Sequence, residues 1–396
     1  MANQNWTNPA WTQVPQVKTF TITATGGGTA VWTFTYTADD GSTATVTYTE
    51  DGTPTVAEVA TGLAAAWEAS THPALARINA TNPSSGVVVL TSAADGIPFT
   101  VALADDGSGT HTEADTTANI GNNDAALARN WSTNTVLTNS NDAIFEPGNV
   151  GLLYGLNQSS VTLADFKVMR GFNGDFGRFE FGKFHYFRID PDSFDFRGGG
   201  SLCLFDIGSA NISPYIEAYG SPSAIGRHAV YIKGSNIATL EVAKGNVGVA
   251  VLDADTATVA TILCGLLDNP QSDVDMTIGS GVTLTTLTQS AGRCTLRCAA
   301  TTVNVYPGST LITEGSGAIT TLNVYAGANV YLKSSGTIGT LNLFGAADFS
   351  RDLTAKTVTT LNMKRGGKLV KHDNITISTT NLPSSSGGAV DTLTAA

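Results

Sequence analysis

Pairs of aspartates stand two residues apart in this sequence as Asp190-Pro-Asp192, Asp253-Ala-Asp255 and Asp273-Val-Asp275. On an extended strand that spacing puts both groups on one face. Two carboxylates facing each other across a groove can act as the acid and the base or nucleophile of glycoside cleavage. Each pair borders Pro, Ala or Gly turn signals, however, so solvated turns are the expected reading. His111 with Glu113 and Asp115 has metal-ligand chemistry, but it follows Asp105-Asp-Gly-Ser-Gly-Thr and reads as a solvated loop. His72, His185, His228 and His372 form no constellation. Cys203, Cys264, Cys294 and Cys298 lack zinc spacing and read as small buried hydrophobes. Neither a glycine-rich phosphate loop nor a serine elbow is present. The expectation is no catalytic residue, no metal site and no cofactor.

The elements around these residues are set by a recurring phrase in 237–364. It reads Ile237-Ala-Thr-Leu-Glu-Val, Val259-Ala-Thr-Ile-Leu-Cys, Leu284-Thr-Thr-Leu-Thr-Gln and Ala300-Thr-Thr-Val-Asn-Val. It continues as Ile319-Thr-Thr-Leu-Asn-Val, Ile338-Gly-Thr-Leu-Asn-Leu and Val358-Thr-Thr-Leu-Asn-Met. The fourth positions form the column Leu240, Ile262, Leu287, Val303, Leu322, Leu341, Leu361, spaced by 22, 25, 16, 19, 19 and 20 residues. Self-similarity at such a period marks a solenoid. The first, fourth and sixth positions are apolar and Thr fills the third, a β pattern without a helical stripe. Glycines 292, 308, 327, 345 and 366 mark turns, and short apolar runs such as 310–312, 329–332 and 368–370 follow. A coil of about 20 residues with two or three short strands fits a parallel β-helix, its coils roughly 4.8 Å apart.

Two side-chain ladders support that register. Asn304, Asn323, Asn342 and Asn362 recur at one position, where stacked amides can hydrogen-bond along the stack. The alternative is that Asn simply suits a turn. Tyr306, Tyr325 and Phe344, two positions on, would stack as aromatics.

At 396 residues the chain predicts two or three units. Its 14% charged residues and 42 glycines suit an extended β architecture. A net charge of −12 without a basic run argues against nucleic acid. No stretch has the apolar length of a membrane span. The start, Met1-Ala-Asn-Gln-Asn-Trp, lacks the pattern of a secretory signal.

In order, residues 1–18 read as an N-terminal arm that packs on its own chain or on a neighbour. Residues 19–104 read as a small α+β domain: strands at 19–24, 31–36 and 44–48 in a meander, a helix over 55–69, and further strands near 76–80, 86–91 and 98–103. Thr55-Val-Ala-Glu58 is a capping box for that helix. Residues 105–130 are expected to be a linker. Residues 131–236, dense in phenylalanine, are expected to form a cap and the first, wide coils. The regular β-helix spans 237–380 and a flexible tail 381–396. The predicted fold class is thus mainly β, a small α+β domain followed by a parallel β-helix solenoid.

The domain at 19–104, with Val56-Ala-Glu-Val-Ala-Thr-Gly-Leu-Ala and Ile97-Pro-Phe-Thr-Val, resembles a small domain of tailed-phage virion proteins. Asn130-Trp-Ser, Tyr154-Gly-Leu-Asn-Gln-Ser-Ser-Val-Thr-Leu-Ala and Gly171-Phe-Asn-Gly, leading into Thr-Thr-Leu-Asn-Val coils, are similar to phage structural proteins. The resemblance implies a virion component assembled in the host cytoplasm, and it carries over no catalytic residue. The first expectation is a non-enzymatic capsid decoration or surface protein, a homotrimer bound to the major capsid protein or other virion proteins. The alternative is a receptor-binding tail fibre or tailspike that recognises, and in one version cleaves, host surface glycans. A cellular adhesin is the third reading, disfavoured by the lack of an export signal.

Overall fold

The computed structural model describes residues 2–39, 41–94, 96–208, 211–252, 254–266, 273–349, 355–372, 374–382 and 393–395. The chain is mainly β, with a small N-terminal domain and a large parallel sheet wound as a β-solenoid.

In the N-terminal domain the helix Val56–Glu68 starts where the sequence places it. Thr55 accepts from the Glu58 backbone and Glu58 reaches back to the Thr55 backbone, the reciprocal capping box. Its apolar face, Val59, Ala60, Leu63, Ala64 and Trp67, is buried among Phe20, Phe34, Val46 and Leu90 of two antiparallel sheets. A side chain at Gly62 would collide with the Tyr48 ring, so the helix lies directly on that strand.

The expected three-strand meander is not formed. Val31–Thr37 pairs with Thr43–Thr49 and Thr100–Asp105, but Val17–Ala24 lies in the other sheet between Val87–Ser92 and Thr110–Thr117. The cause is local. Buried Glu50 accepts from the Gly26 and Gly28 backbone N–H groups and from the Trp32 indole, at 2.7, 2.9 and 2.8 Å. Gly27 and Gly28 take φ of 98° and 96°, and the chain leaves the first sheet instead of closing a hairpin.

The expected linker at 105–130 is also corrected. Thr110–Thr117 is a strand whose side chains are mostly exposed, so it shows turn-like composition and no apolar alternation. His111 and Glu113 therefore stand on a strand and not in a loop; His111 Nε2 is 3.5 Å from Glu113 Oε1.

From residue 157 onward, apart from an antiparallel hairpin at 178–185, strands alternate between two stacks and pair in parallel with counterparts one coil away. The first stack carries the recurring phrase: Ala257–Cys264, Val282–Gln289, Ala300–Val305, Ile319–Val324, Ile338–Leu343, Lys356–Met363 and Ile375–Asn381. The second holds Val274–Ile278, Arg293–Leu296, Thr310–Thr313, Asn329–Leu332, Ala346–Phe349 and Lys368–Lys371. The long strand Val230–Val249 serves both stacks, turning near Gly234 and Gly245. At Gly245 φ is 98° and a Cβ would meet the Ala218 carbonyl of the coil below.

Leu240, Ile262, Leu287, Val303, Leu322, Leu341 and Leu361 are successive register partners, and each is fully buried. Burying a side chain of this kind contributes about 1.5–3 kcal/mol, so the column is a principal source of cohesion. The first coils are filled differently. Phe145, Phe166, Phe176, Phe187, Phe194 and Phe205 interlock, with centroid separations such as 4.8 Å for Phe145–Phe176 and 4.9 Å for Phe166–Phe194.

The N-terminal arm packs on its own chain. Asn3–Asn5 pairs in parallel with Asp142–Phe145, adding a rung to the first stack. Trp6 is buried there against Trp131, 5.1 Å away edge-on, and its indole N–H donates to the Val150 carbonyl at 2.9 Å. Most of the tail at 381–396 lies outside the described residues.

Candidate functional site

The side chains with chemistry gather on the outer face of the second stack, in its early coils. Two adjoining cavities of about 620 and 520 Å³ share Phe184 and Leu252 and form one groove. Its floor is made of outward residues of successive strands, from Arg188 through Lys233, Asn246 and Thr277 to Arg297 and Glu314. A hairpin, Arg178–Glu180 with Lys183–His185, stands along one side.

That hairpin is held by charge. Its turn residues Phe181 and Gly182 both have positive φ, 51° and 77°, the geometry of a tight two-residue turn. Arg178 Nη1 donates to Asp39 Oδ2 and to the Leu153 carbonyl, both at 2.6 Å, and its Nε donates to Glu180 Oε2 at 2.9 Å. Arg77 pairs with Glu180 and lies 4.7 Å over the Phe181 ring. Burial opposes the Arg178 charge, but Asp39 and Glu180 outweigh it and raise its pKa. Acid and base alternate through Asp39, Arg178, Glu180 and Arg77, fixing the small domain to the solenoid beside the groove.

In the half of the groove nearest that domain, Asp255 is fully engaged. It accepts from the Tyr186 hydroxyl and from Lys233 Nζ at 3.2 Å, and the Lys233 ammonium sits 4.0 Å over the Tyr186 ring. Burial, together with the Asp255 carboxylate, raises the Tyr186 pKa, so the phenol keeps its proton. Burial also raises Asp206, against the opposing effect of Lys233 and Arg188. A carboxylate locked to a phenol and an ammonium is a structural clamp more than a poised base.

The far half is cationic. Arg227, Arg293 and Arg297 line it with Asp275 and Glu314. Arg297 Nε pairs with Glu314 at 3.1 Å, whereas no ion pair engages Arg227 or Arg293 among the described residues. His228 is buried, its ring against the Asn246 amide, and burial lowers its pKa, favouring the neutral imidazole. Phe184, Ile225, Val251 and Leu252 supply apolar patches above the polar floor.

The carboxylate pairs seen in the sequence are split by the fold. Asp190 is half-buried with Oδ1 enclosed and lacking a hydrogen-bond partner among the described residues, while Asp192 is exposed. Asp253 lies outside the described residues. Asp255 and Asp275 do reach the groove, in different halves. The four cysteines are buried and free. The neighbouring Cys264 thiol and burial push the Cys294 thiol well up, and burial pushes Cys298 up to about 12. Among the described residues no group of three or more His, Cys, Asp or Glu side chains is placed to hold a metal ion.

The ladders lie on the first stack. Each Asn amide donates to the one below: Asn323 to Asn304 at 2.8 Å, Asn342 to Asn323 at 2.7 Å and Asn362 to Asn342 at 2.8 Å. Asn381 adds a fifth member at 2.7 Å that the repeat did not announce. Tyr306 and Tyr325 stack at 4.6 Å and 9°, and Tyr325 and Phe344 at 5.9 Å and 10°.

Sequence reasoning missed Tyr186, Lys233, Arg227, Arg293, Arg297 and Glu314. The available signal was charge on short strands, as at Arg293, whose later register partners are Thr310, Asn329 and Ala346. It is weak because the second stack has no recurring phrase.

The architecture defines a parallel β-solenoid protein with a small α+β domain at its start. Compared with protein-family models, curated proteins and solved structures, the chain finds no match.

Proposed function

We propose that this chain is a non-enzymatic structural protein of a virus particle, a capsid decoration or surface protein whose coils form a parallel β-helix. The observation that carries the reading is the continuity of its two stacks. Columns of buried Leu and bonded Asn run coil after coil through the described residues. Such a rod is a stiff spacer, and the charge-locked N-terminal domain gives it a defined end for attachment to the major capsid protein or another virion protein. In this reading the chain assembles in the host cytoplasm and works as a homotrimer.

Quantitative mass spectrometry of purified particles, referenced to the major capsid protein, tests it. Hundreds of copies per particle are expected. A few copies would move the chain to a fibre or spike, and none would overturn the virion reading.

The groove favours one second reading, a receptor-binding fibre or tailspike that recognises host surface glycans. A long polar trough with aromatic and aliphatic patches is suited to sugar rings, whose hydroxyls need partners and whose faces are apolar.

A further inference from the structure

The two halves of the groove differ in how their charges are spent. Near the small domain, Asp255 is matched by Lys233 and Tyr186, and Asp206 lies 3.6 Å from Arg188. In the far half, Arg297 has Glu314, but Arg227 and Arg293 are exposed guanidiniums with no ion-pair partner among the described residues. Three arginines stand there against two carboxylates, Asp275 and Glu314, so the far half is distinguished by guanidiniums left outside ion pairs.

We infer that the far half of the groove binds an acidic oligosaccharide, with ring carboxylates held by Arg227 and Arg293 and sugar faces laid on Phe184 and Ile225. The inference rests on the glycan-binding reading of the groove and names the class of glycan. Guanidinium offers paired donors in the fork geometry that a carboxylate accepts. Asp275, Asn246 and Thr277 on the floor supply acceptors and donors for hydroxyls. The groove crosses seven successive strands of the second stack, roughly 30 Å at the usual strand spacing, room for a chain of several sugars.

A peptide ligand fits less well. The groove is floored by outward side chains of a sheet whose strand edges are already paired, so an extended backbone would find no free edge to join. A bare polyanion would use the guanidiniums but leave Phe184 and Ile225 without a role.

The test is calorimetric titration of the full chain with three probes: pentagalacturonate, neutral maltopentaose and a short polyglutamate. Pentagalacturonate is expected to bind, at least tenfold more tightly than maltopentaose, and to weaken as salt rises. The double variant R227Q/R293Q should lose at least tenfold for pentagalacturonate while its thermal midpoint stays unchanged, because both side chains are exposed. Phe184→Ala should weaken the saccharide and leave polyglutamate unaffected. Maltopentaose binding as well as pentagalacturonate would overturn the acidic class and leave the glycan reading standing. Polyglutamate binding equally, through the same arginines, would overturn the saccharide class. Failure of both saccharides to bind would overturn the inference and the glycan reading together.

Discussion

The early coils and the late coils have one architecture and two kinds of interior. Late coils repeat the same aliphatic side chains at 19–20-residue intervals, and the outer face of their first stack repeats Thr and Asn as well. Early coils are packed by interlocked phenylalanines, and their loops include the hairpin at 178–185 and the groove-walling residues 225–228, 251–252 and 254–255. Regularity builds length, whereas a binding surface needs departures from it. A repeated rank of Leu and Thr offers each ligand the same contacts at every coil, and the groove lies where that repetition is absent.

The sharpest way to break this contrast is to hollow each interior in turn. Phe176 touches Phe145, Phe172 and Phe205, rings that come from different coils and lean at different angles, so the space it leaves cannot close by a uniform shift. Phe176→Ala is expected to cost about 4 kcal/mol. Leu322→Ala, between Val303 and Leu341 in a straight column, is expected to cost about 3 kcal/mol. Denaturant midpoints of the two variants check the order. A larger loss at Leu322 would mean that the late coils, not the aromatic ones, limit stability.

That contrast also explains what could be read in advance. The Leu column and the first four Asn were legible because one phrase repeats and each copy meets its neighbour in register. Asn381 was hidden because its copy, Ile377-Ser-Thr-Thr-Asn381, has Thr380 where the others have an apolar residue. The capped helix was legible from local chemistry alone. The partners of Val17–Ala24 were not, since sheet membership is settled by distant strands and by the Glu50 anchor on the glycine turn. Of the groove's carboxylates, Asp255 and Asp275 are marked in the sequence by their Asp-x-Asp spacing. The groove's other charged residues come from strands far apart in sequence, brought side by side by coil stacking.

Lys356 is the late coils' one described departure from an apolar or small inward rank, and it sharpens the comparison by pH. It is buried, and Nζ donates to the Ser334 and Gly336 carbonyls at 2.6 and 2.7 Å, with no counter-ion among the described residues. Burial lowers its pKa from 10.5 to about 8. Between those values the unfolded chain keeps a proton that the folded chain has released, so raising the pH favours folding. Below about pH 8 both states hold the proton and the full penalty of burying it is present. Relative to Lys356→Met, the natural chain should gain stability on the order of 3 kcal/mol from pH 7 to 10.5. Measuring both proteins cancels the cysteine and tyrosine titrations they share. A flat difference would mean that Lys356 reaches water in the folded state.

The smallest expected effect asks whether the Asn ladder contributes stability or merely suits its position. Asn342 donates to Asn323 and accepts from Asn362, so Asn342→Ala removes two half-buried hydrogen bonds. At about 0.5–1 kcal/mol net for each, the loss should be about 1–2 kcal/mol. Asn381, at the exposed end, makes one such bond, so Asn381→Ala should cost less than about 0.5 kcal/mol. A local backbone preference would give equal losses at both sites, since each strand would lose the same intrinsic term. A ladder gives a gradient from middle to end, because interior amides have a partner on each side. Equal midpoints for the two variants would therefore remove the ladder from the account of the late coils and leave the Leu column as their main support.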